Sequence, residues 1–143
     1  MKTTVLAILA AATLTACAPL PYENSLNKLH MSAMREADEM ARVTTASIAK
    51  IGEAATIEAA LKKVRYGMKD PDSAQFRNVR IQLHAMSEDK IICGEVNGKN
   101  SYGGYVGFVK FIASPENNHI QDTSNSQQIM DASNAGLDRT CYR

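Results

Sequence analysis

A change in hydrophobic spacing at "KDPDSAQFRNV", residues 69–79, limits what this chain can fold into. Before it, from Ser25 to about Met68, the chain has no proline and only two glycines, and it is rich in Ala, Met, Leu, Ile, Glu and Lys, which favour helix. After it, apolar and polar residues alternate, as in strands. Pro71 disfavours helix at Asp70 and separates the two patterns. The sequence therefore predicts an α+β chain in which helices precede an antiparallel sheet.

The helical part predicts two helices, roughly 25–50 and 55–69, either continuous or with a break near "KIGEA". The first carries an apolar seam at three- and four-residue steps, formed by Leu26, Leu29, Ala33, Ala37, Met40 and Val43. Because this helix is alanine-rich, it is expected to be a helical spacer over residues 25–54 or to form a weak coiled coil with a partner helix. The second helix presents Ile57, Leu61, Val64 and Met68 on one face and is expected to pack against the sheet.

The alternating part predicts three or four strands. Val79, Ile81 and Leu83 point to one side of the first strand, and the residues between them point to the other. "KIICGEV" predicts a second strand, "GGYVGFVKFIA" a third, and residues 119–121 a short fourth. The C-terminal segment is expected to be partly helical, so residues 55–143 are predicted to form one small α+β domain.

The first sixteen residues, "MKTTVLAILAAATLTA", contain one charge, Lys2, and an apolar segment from Val5 to Ala12. A membrane-spanning helix needs about 20 predominantly apolar residues, and no stop-transfer pattern follows here. Residues 1–16 are therefore interpreted as a signal peptide. Residues 17–24, which contain two prolines, are interpreted as a short tether.

Leu14, Thr15, Ala16 and Cys17 form "LTAC", which resembles the lipobox of bacterial lipoproteins. The resemblance implies that the Cys17 thiol carries a diacylglycerol and that cleavage occurs just before it. Several acyl chains together hold a protein durably on a membrane. Ala18 stands where the family's inner-membrane retention signal has Asp, which implies the outer membrane with the domain facing the periplasm. The alternative, an ordinary secretory signal cut at "LTA" or "TAC", leaves Cys17 as a free thiol.

With Cys17 assigned to lipid, two of the three cysteines remain, Cys93 and Cys141. An even number of cysteines in an exported protein predicts a disulfide. This one ties the C-terminal segment to the sheet and closes a loop of about fifty residues, for which chain entropy gives about 4 kcal/mol. A redox-active pair is the alternative, but the C-x-x-C spacing typical of such pairs is absent.

The blocks "KDPDSAQFRNV" and "CGEVNGKNSYGGYVGF" carry a second resemblance. Residues 57–113 resemble an uncharacterised small module found in bacterial and phage-associated proteins, often exported ones. The resemblance implies a helix followed by an antiparallel sheet. It implies no activity.

The loop from Asn97 to Gly104 is the candidate binding loop, because polar groups and tyrosines on a glycine-rich loop suit recognition. Together with its flanks, its candidate residues are Glu95, Asn97, Lys99, Asn100, Tyr102 and Tyr105. The alternative is a plain hairpin connection in which the polar residues solvate the turn. Glu95 is expected to be partly buried and paired with Lys99 or Arg80.

The sequence argues against several function classes. Without the signal peptide, which holds one of the 16 basic residues, the chain has as many basic as acidic residues, so nucleic-acid binding is not expected. His30, His84 and His119 lack metal-site spacing, and neither a nucleophile elbow nor a phosphate loop is found, so no metal, cofactor or catalytic activity is expected.

The expected function is that of an outer-membrane-anchored periplasmic lipoprotein that acts as a structural or protein-binding module with an envelope protein partner. The alternative is a surface-acting or inhibitory lipoprotein that blocks a phage receptor or a cell-wall hydrolase. An envelope enzyme is the third candidate.

Overall fold

The computed structural model describes residues 21–142. Four α-helices, α1 (Pro21–Ile51), α2 (Glu53–Tyr66), α3 (Gln127–Ser133) and α4 (Ala135–Cys141), accompany four strands, β1 (Gln75–Leu83), β2 (Lys90–Asn97), β3 (Val109–Ala113) and β4 (Asn118–Ile120). The strands form one antiparallel sheet in the order β1-β2-β3-β4. The predicted α+β class and the partly helical C-terminal segment are confirmed. Cys17 and the predicted signal peptide lie outside the described residues.

Helix α1 begins inside the segment that was predicted to be a tether. Pro21 occupies its first turn, where the missing backbone N–H removes no helical hydrogen bond. The helix ends at Ile51, directly before Gly52, which has a φ of +84° and lies within the predicted break. Across this break the hydroxyl groups of Ser47 and Thr56 lie 2.9 Å apart and join α1 to α2.

Helix α1 packs on the sheet and on the C-terminal helices instead of standing away as a spacer, and its buried side chains begin at Met34. Its Ala37, Met40 and Ala41 side chains are buried against β2 and α4. The close approach depends on small residues, because a Cβ atom added at Gly136 of α4 would lie 2.3 Å from the carbonyl oxygen of Ala33. Small side chains thus allow close approach of the helices beside the buried Met40.

The sheet has a separate apolar core on each face. On one face Ile91, Cys93 and Ile112 pack against α1 and α4. On the other face Ile92, Val96 and Phe111 pack against α2, where Ala60 and Val64 are buried. Successive β2 residues alternate between the two cores, so β2 is a central strand enclosed on both faces.

Two strand predictions need correction. The predicted third strand is shorter, because residues 103–108 form a loop and β3 begins at Val109. Leu83 lies on the predicted apolar side of β1 but is exposed at the strand end. In β1 the register against β2 shifts between Arg77 and Arg80, where Asn78 has a φ of +53°.

The predicted disulfide is present. Cys93 and Cys141 are bonded, with their Cα atoms 5.9 Å apart, and both are buried. Near this bond Arg80 donates a hydrogen bond to the Cys141 carbonyl oxygen (2.7 Å), and the Tyr142 hydroxyl donates one to the Gly94 carbonyl oxygen (2.6 Å). The C-terminal segment is therefore fixed to the sheet by covalent and polar contacts together.

No helix between residues 21 and 142 is long and apolar enough to cross a lipid bilayer.

Candidate functional site

The β2–β3 loop, residues 98–108, contains a hairpin turn that is built by Asn100. Its backbone N–H donates to the Gly104 carbonyl oxygen (2.9 Å), and its own carbonyl accepts from the Gly103 N–H (3.0 Å). The Asn100 Oδ1 atom also accepts hydrogen bonds from the backbone N–H groups of Tyr102 (2.9 Å) and Gly104 (3.1 Å). Gly103 adopts a φ of +80°, which glycine tolerates best. Asn100 is therefore a turn-forming residue, as the hairpin alternative expected.

Asn97 also has a structural role. Its side chain is buried, and its Oδ1 atom accepts a hydrogen bond from the backbone N–H of Gly107 (3.1 Å). This contact holds the returning limb of the loop beside the end of β2. Asn97 therefore offers little surface to a ligand.

The loop is attached to the turn that precedes β1. The Ser73 hydroxyl accepts a hydrogen bond from the Lys99 backbone N–H (2.9 Å), and the Ser73 carbonyl accepts one from the Tyr105 hydroxyl (3.4 Å). Lys69 donates to the Ser101 hydroxyl (3.0 Å). A bridge between Lys99 and Tyr105 pairs the two limbs. These contacts orient the loop before any ligand arrives.

The side chain of Tyr102, at the tip of this loop, remains free. It is 96% exposed, and Val106 in the same loop is 68% exposed. Tyr105 is about half exposed, with its ring 5.8 Å from the Lys99 Nζ atom. The loop thus combines a fixed backbone with aromatic surface open to solvent, an arrangement that lowers the entropic cost of binding.

Glu95 belongs to a different cluster. It forms an ion pair with Arg77, which lies directly opposite it on β1, rather than with Lys99 or Arg80 as the sequence suggested. Lys110 lies opposite it on β3, and the Arg77 guanidinium also stacks on the Phe108 ring at 3.9 Å. Glu95 therefore joins three strands and lies outside the loop.

The hydrogen bond from Arg77 is the main cause that holds the pKa of Glu95 below its usual range, with further contributions from Asn78 and Lys110. A carboxylate with a lowered folded-state pKa stabilises the fold above its unfolded-state pKa, and this stability is lost as the pH falls through the folded-state value. We expect Glu95→Gln to lower the melting temperature at about pH 7, and the difference from wild type to become smaller as the pH falls below the unfolded-state pKa of about 4.3.

Thermal unfolding followed by circular dichroism at about pH 7 and about pH 3 measures this effect. Glu88→Gln, at an exposed position in the β1–β2 turn, is the matched control and should change the melting temperature equally little at both. A Glu95→Gln penalty of equal size at pH 7 and pH 3 would contradict the assignment.

The sequence missed the residues that support the loop from outside it. Ser73 and Lys69 are separated from the loop by more than twenty residues, and their contacts depend on how α2 packs on the sheet. The available signal was the segment "PDS" after α2, in which Asp72 and Ser73 predict hydrogen bonds to nearby backbone N–H groups of a short turn but not to the distant loop.

The structure does not bring the three histidines together. His30 lies in α1, His119 in β4, and buried His84 follows β1 with its Nε2 atom 3.3 Å from an Asp38 carboxylate oxygen of α1. Within residues 21–142 no group of three or more His, Cys, Asp or Glu side chains could hold a metal ion.

Searches of protein-family models, curated proteins and solved structures find no match to this chain. The class that the structure itself defines is an α+β domain with a sheet enclosed by helices and a pre-formed hairpin at one end.

Proposed function

We propose that this chain is an outer-membrane-anchored periplasmic lipoprotein whose domain binds an envelope protein through the β2–β3 loop. The observation that carries the binding role is Tyr102, an almost fully exposed aromatic residue on a loop fixed by side-chain and backbone hydrogen bonds. An exposed tyrosine gains much contact area on binding and loses few rotamers, which suits an interface residue.

The lipid attachment at Cys17 rests on the "LTAC" motif alone. We expect wild-type protein to remain in the membrane pellet after high-salt washing and Cys17→Ser to move to the soluble fraction, because the acyl chains supply the membrane affinity. Intact mass measurement of the detergent-extracted protein provides a second readout, with residues 17–143 plus acyl chains as the expected species. A Cys17→Ser protein that stays in the pellet would contradict this attachment.

The binding role of the loop is tested by placing a photo-crosslinking phenylalanine derivative at position 102 in living cells. Met86, 64% exposed in the turn at the opposite end of β2, is the matched control for the same derivative. We expect one discrete crosslinked protein species from position 102 and none from position 86. Equal crosslinking from both positions, or none from position 102, would count against the loop as the interface.

Tyr102→Ala separates binding from folding. Because the side chain is 96% exposed, we expect an unchanged melting temperature, whereas affinity for the crosslinked protein should fall at least about tenfold. Met86→Ala should leave both quantities unchanged.

A further inference from the structure

Strand β1 is an open edge of the sheet. Within residues 21–142 it pairs only with β2, and the helices make their main contacts with the other three strands. None of its nine residues is buried, whereas most of β2 is. The opposite edge strand, β4, has three residues and is partly covered, since Asn118 donates to the Lys63 carbonyl oxygen of α2 (3.3 Å). Of the two edge strands, β1 is therefore the one with a long unpaired edge.

The backbone groups of Ile81 and Leu83 point away from the sheet. Directly after β1, the His84 N–H donates to the Asp89 carbonyl oxygen across the β1–β2 turn (2.7 Å). Hydrogen bonding to one neighbour alternates along an antiparallel strand. The backbone of Gln82 therefore bonds to β2, and the N–H and C=O groups of Ile81 and Leu83 face outward.

The residue opposite Leu83 supports this orientation. Lys90 stands opposite Leu83 in the register, yet its N–H donates to the Thr45 hydroxyl of α1 (2.7 Å). Among the hydrogen bonds described for residues 21–142, none outside the sheet uses a backbone group of Ile81 or Leu83. Unused backbone groups on an edge strand are a template for pairing with another strand.

The features that commonly protect an edge strand leave part of β1 open. The irregularity at Asn78 interrupts the strand, but residues 80–83 keep a regular register against β2. The side chains of Arg80 and Gln82 donate to backbone carbonyl groups at the end of α4. These side chains are therefore held on the face of the sheet and do not cross its edge.

We propose that β1 pairs antiparallel with β1 of a second copy of this chain, around a two-fold axis at Gln82. In this register Ile81 of each copy lies opposite Leu83 of the other, so the outward backbone groups of both residues are hydrogen-bonded. The two sheets then form one continuous sheet. The β2–β3 loop lies at the other end of β1, beyond Gln75, so this interface is separate from the proposed binding loop.

The side chains fit the same register, because the edge is complementary to itself. Ile81 and Leu83 lie on one face of β1, and opposite residues of an antiparallel pair share a face. Leu83, which is 62% exposed, therefore packs against Ile81 of the second copy. Arg80 comes opposite His84, whose Nε2 atom lies 3.3 Å from an Asp38 carboxylate oxygen, so like charges do not meet. This self-complementarity favours a second copy over an unrelated strand.

The first test compares single cysteines at neighbouring positions of β1 in the full chain carrying Cys17→Ser, under mild oxidation. In the proposed pairing the two Cα atoms at position 82 lie about 4.5 Å apart, within disulfide range, and those at position 83 lie about 8 Å apart, outside it. We expect Gln82→Cys to form disulfide-linked dimers at least about tenfold faster than Leu83→Cys.

Chance collisions give the opposite order, because Leu83 is exposed and Gln82 is half-buried. Dimers that form from Leu83→Cys as fast as from Gln82→Cys would therefore overturn the proposed pairing.

The second test measures the mass of the Cys17→Ser chain by sedimentation equilibrium over a range of concentrations. We expect a dimer, and we expect Leu83→Lys to raise its dissociation constant at least about tenfold, because a charge on an edge strand opposes pairing. Leu29→Lys places the same charge at an exposed leucine of α1 and should leave the dissociation constant unchanged. Circular dichroism checks that both variants are folded.

A chain that is monomeric at every concentration, or a dimer that Leu83→Lys does not weaken, would overturn the proposal. The cysteine comparison does not depend on the lysine variant, so it still decides the outcome if Leu83→Lys fails to fold.

Discussion

Replacing both Cys93 and Cys141 by alanine is expected to lower the free energy of unfolding by about 4 kcal/mol. The two residues are 48 positions apart, and the disulfide restricts the unfolded chain over that whole interval. Both sulfur atoms also belong to the buried core between the sheet and α1, so the substitution removes packing as well. The comparison belongs in a Cys17→Ser background, where Cys93 and Cys141 are the only cysteines.

Urea unfolding of the oxidised protein, the reduced protein and the double alanine variant measures this prediction. Reduction should reproduce most of the loss seen in the variant, because both treatments free the same loop. Contacts of Arg80 and Tyr142 with the backbone near the disulfide should keep α4 in place at low urea. A loss below about 1 kcal/mol would mean that these noncovalent contacts alone fix the C-terminal segment.

The order of elements was predictable from local pattern. Pro71 disfavours helix at the residue before it, and the alternation of apolar and polar residues after it indicates strands. Both signals act within a few residues. The short fourth strand and the break at Gly52 follow from similarly local signals. The disulfide was predictable by counting cysteines once Cys17 had been assigned.

The position of α1 was harder to predict because its partner is distant in sequence. A low-hydrophobicity, alanine-rich helix suggests weak packing when it is considered alone. Gly136, more than a hundred residues later than Ala33, lets α4 approach the α1 backbone directly, so that small side chains make close contacts beside the buried Met40. The spacing of apolar residues within α1 does not reveal this contact with α4.

The register of β1 against β2 is not visible in the sequence, so the ion-pair partner predicted for Glu95 is wrong. One extra residue in β1 around Asn78 shifts its register against β2, and the pairing that results places Arg77 opposite Glu95 and Arg80 opposite Cys93. The loop was also predicted only in part. Its glycines and asparagines indicate a turn. The structural roles of Asn97 and Asn100, however, depend on hydrogen bonds from the backbone N–H groups of Gly107 to Asn97 and of Tyr102 and Gly104 to Asn100.

Phe111→Ala is expected to destabilise the domain by about 3–5 kcal/mol. Phe111 is fully buried in the core beneath α2, and its ring meets Phe76 edge to face with centroids 5.9 Å apart. Removing the ring leaves a cavity that β2 and α2 cannot close, because Gly94 directly beneath it has no side chain to fill the space. Chemical denaturation gives the magnitude, and Phe108→Ala, at a half-buried ring outside this core, is the matched control.

Gly94 supplies an internal check on that explanation. A Cβ atom added there would lie 2.7 Å from the Phe111 Cζ atom, so Gly94→Ala alone should cost about 1–3 kcal/mol by overpacking. Combined with Phe111→Leu, which shortens the opposing side chain, the same alanine should cost much less, giving a coupling of about 1 kcal/mol or more. If the two substitutions instead add within about 0.5 kcal/mol, the ring is not what requires glycine at position 94. The requirement for glycine would then come from the β2 backbone rather than from the fit of Phe111 against it.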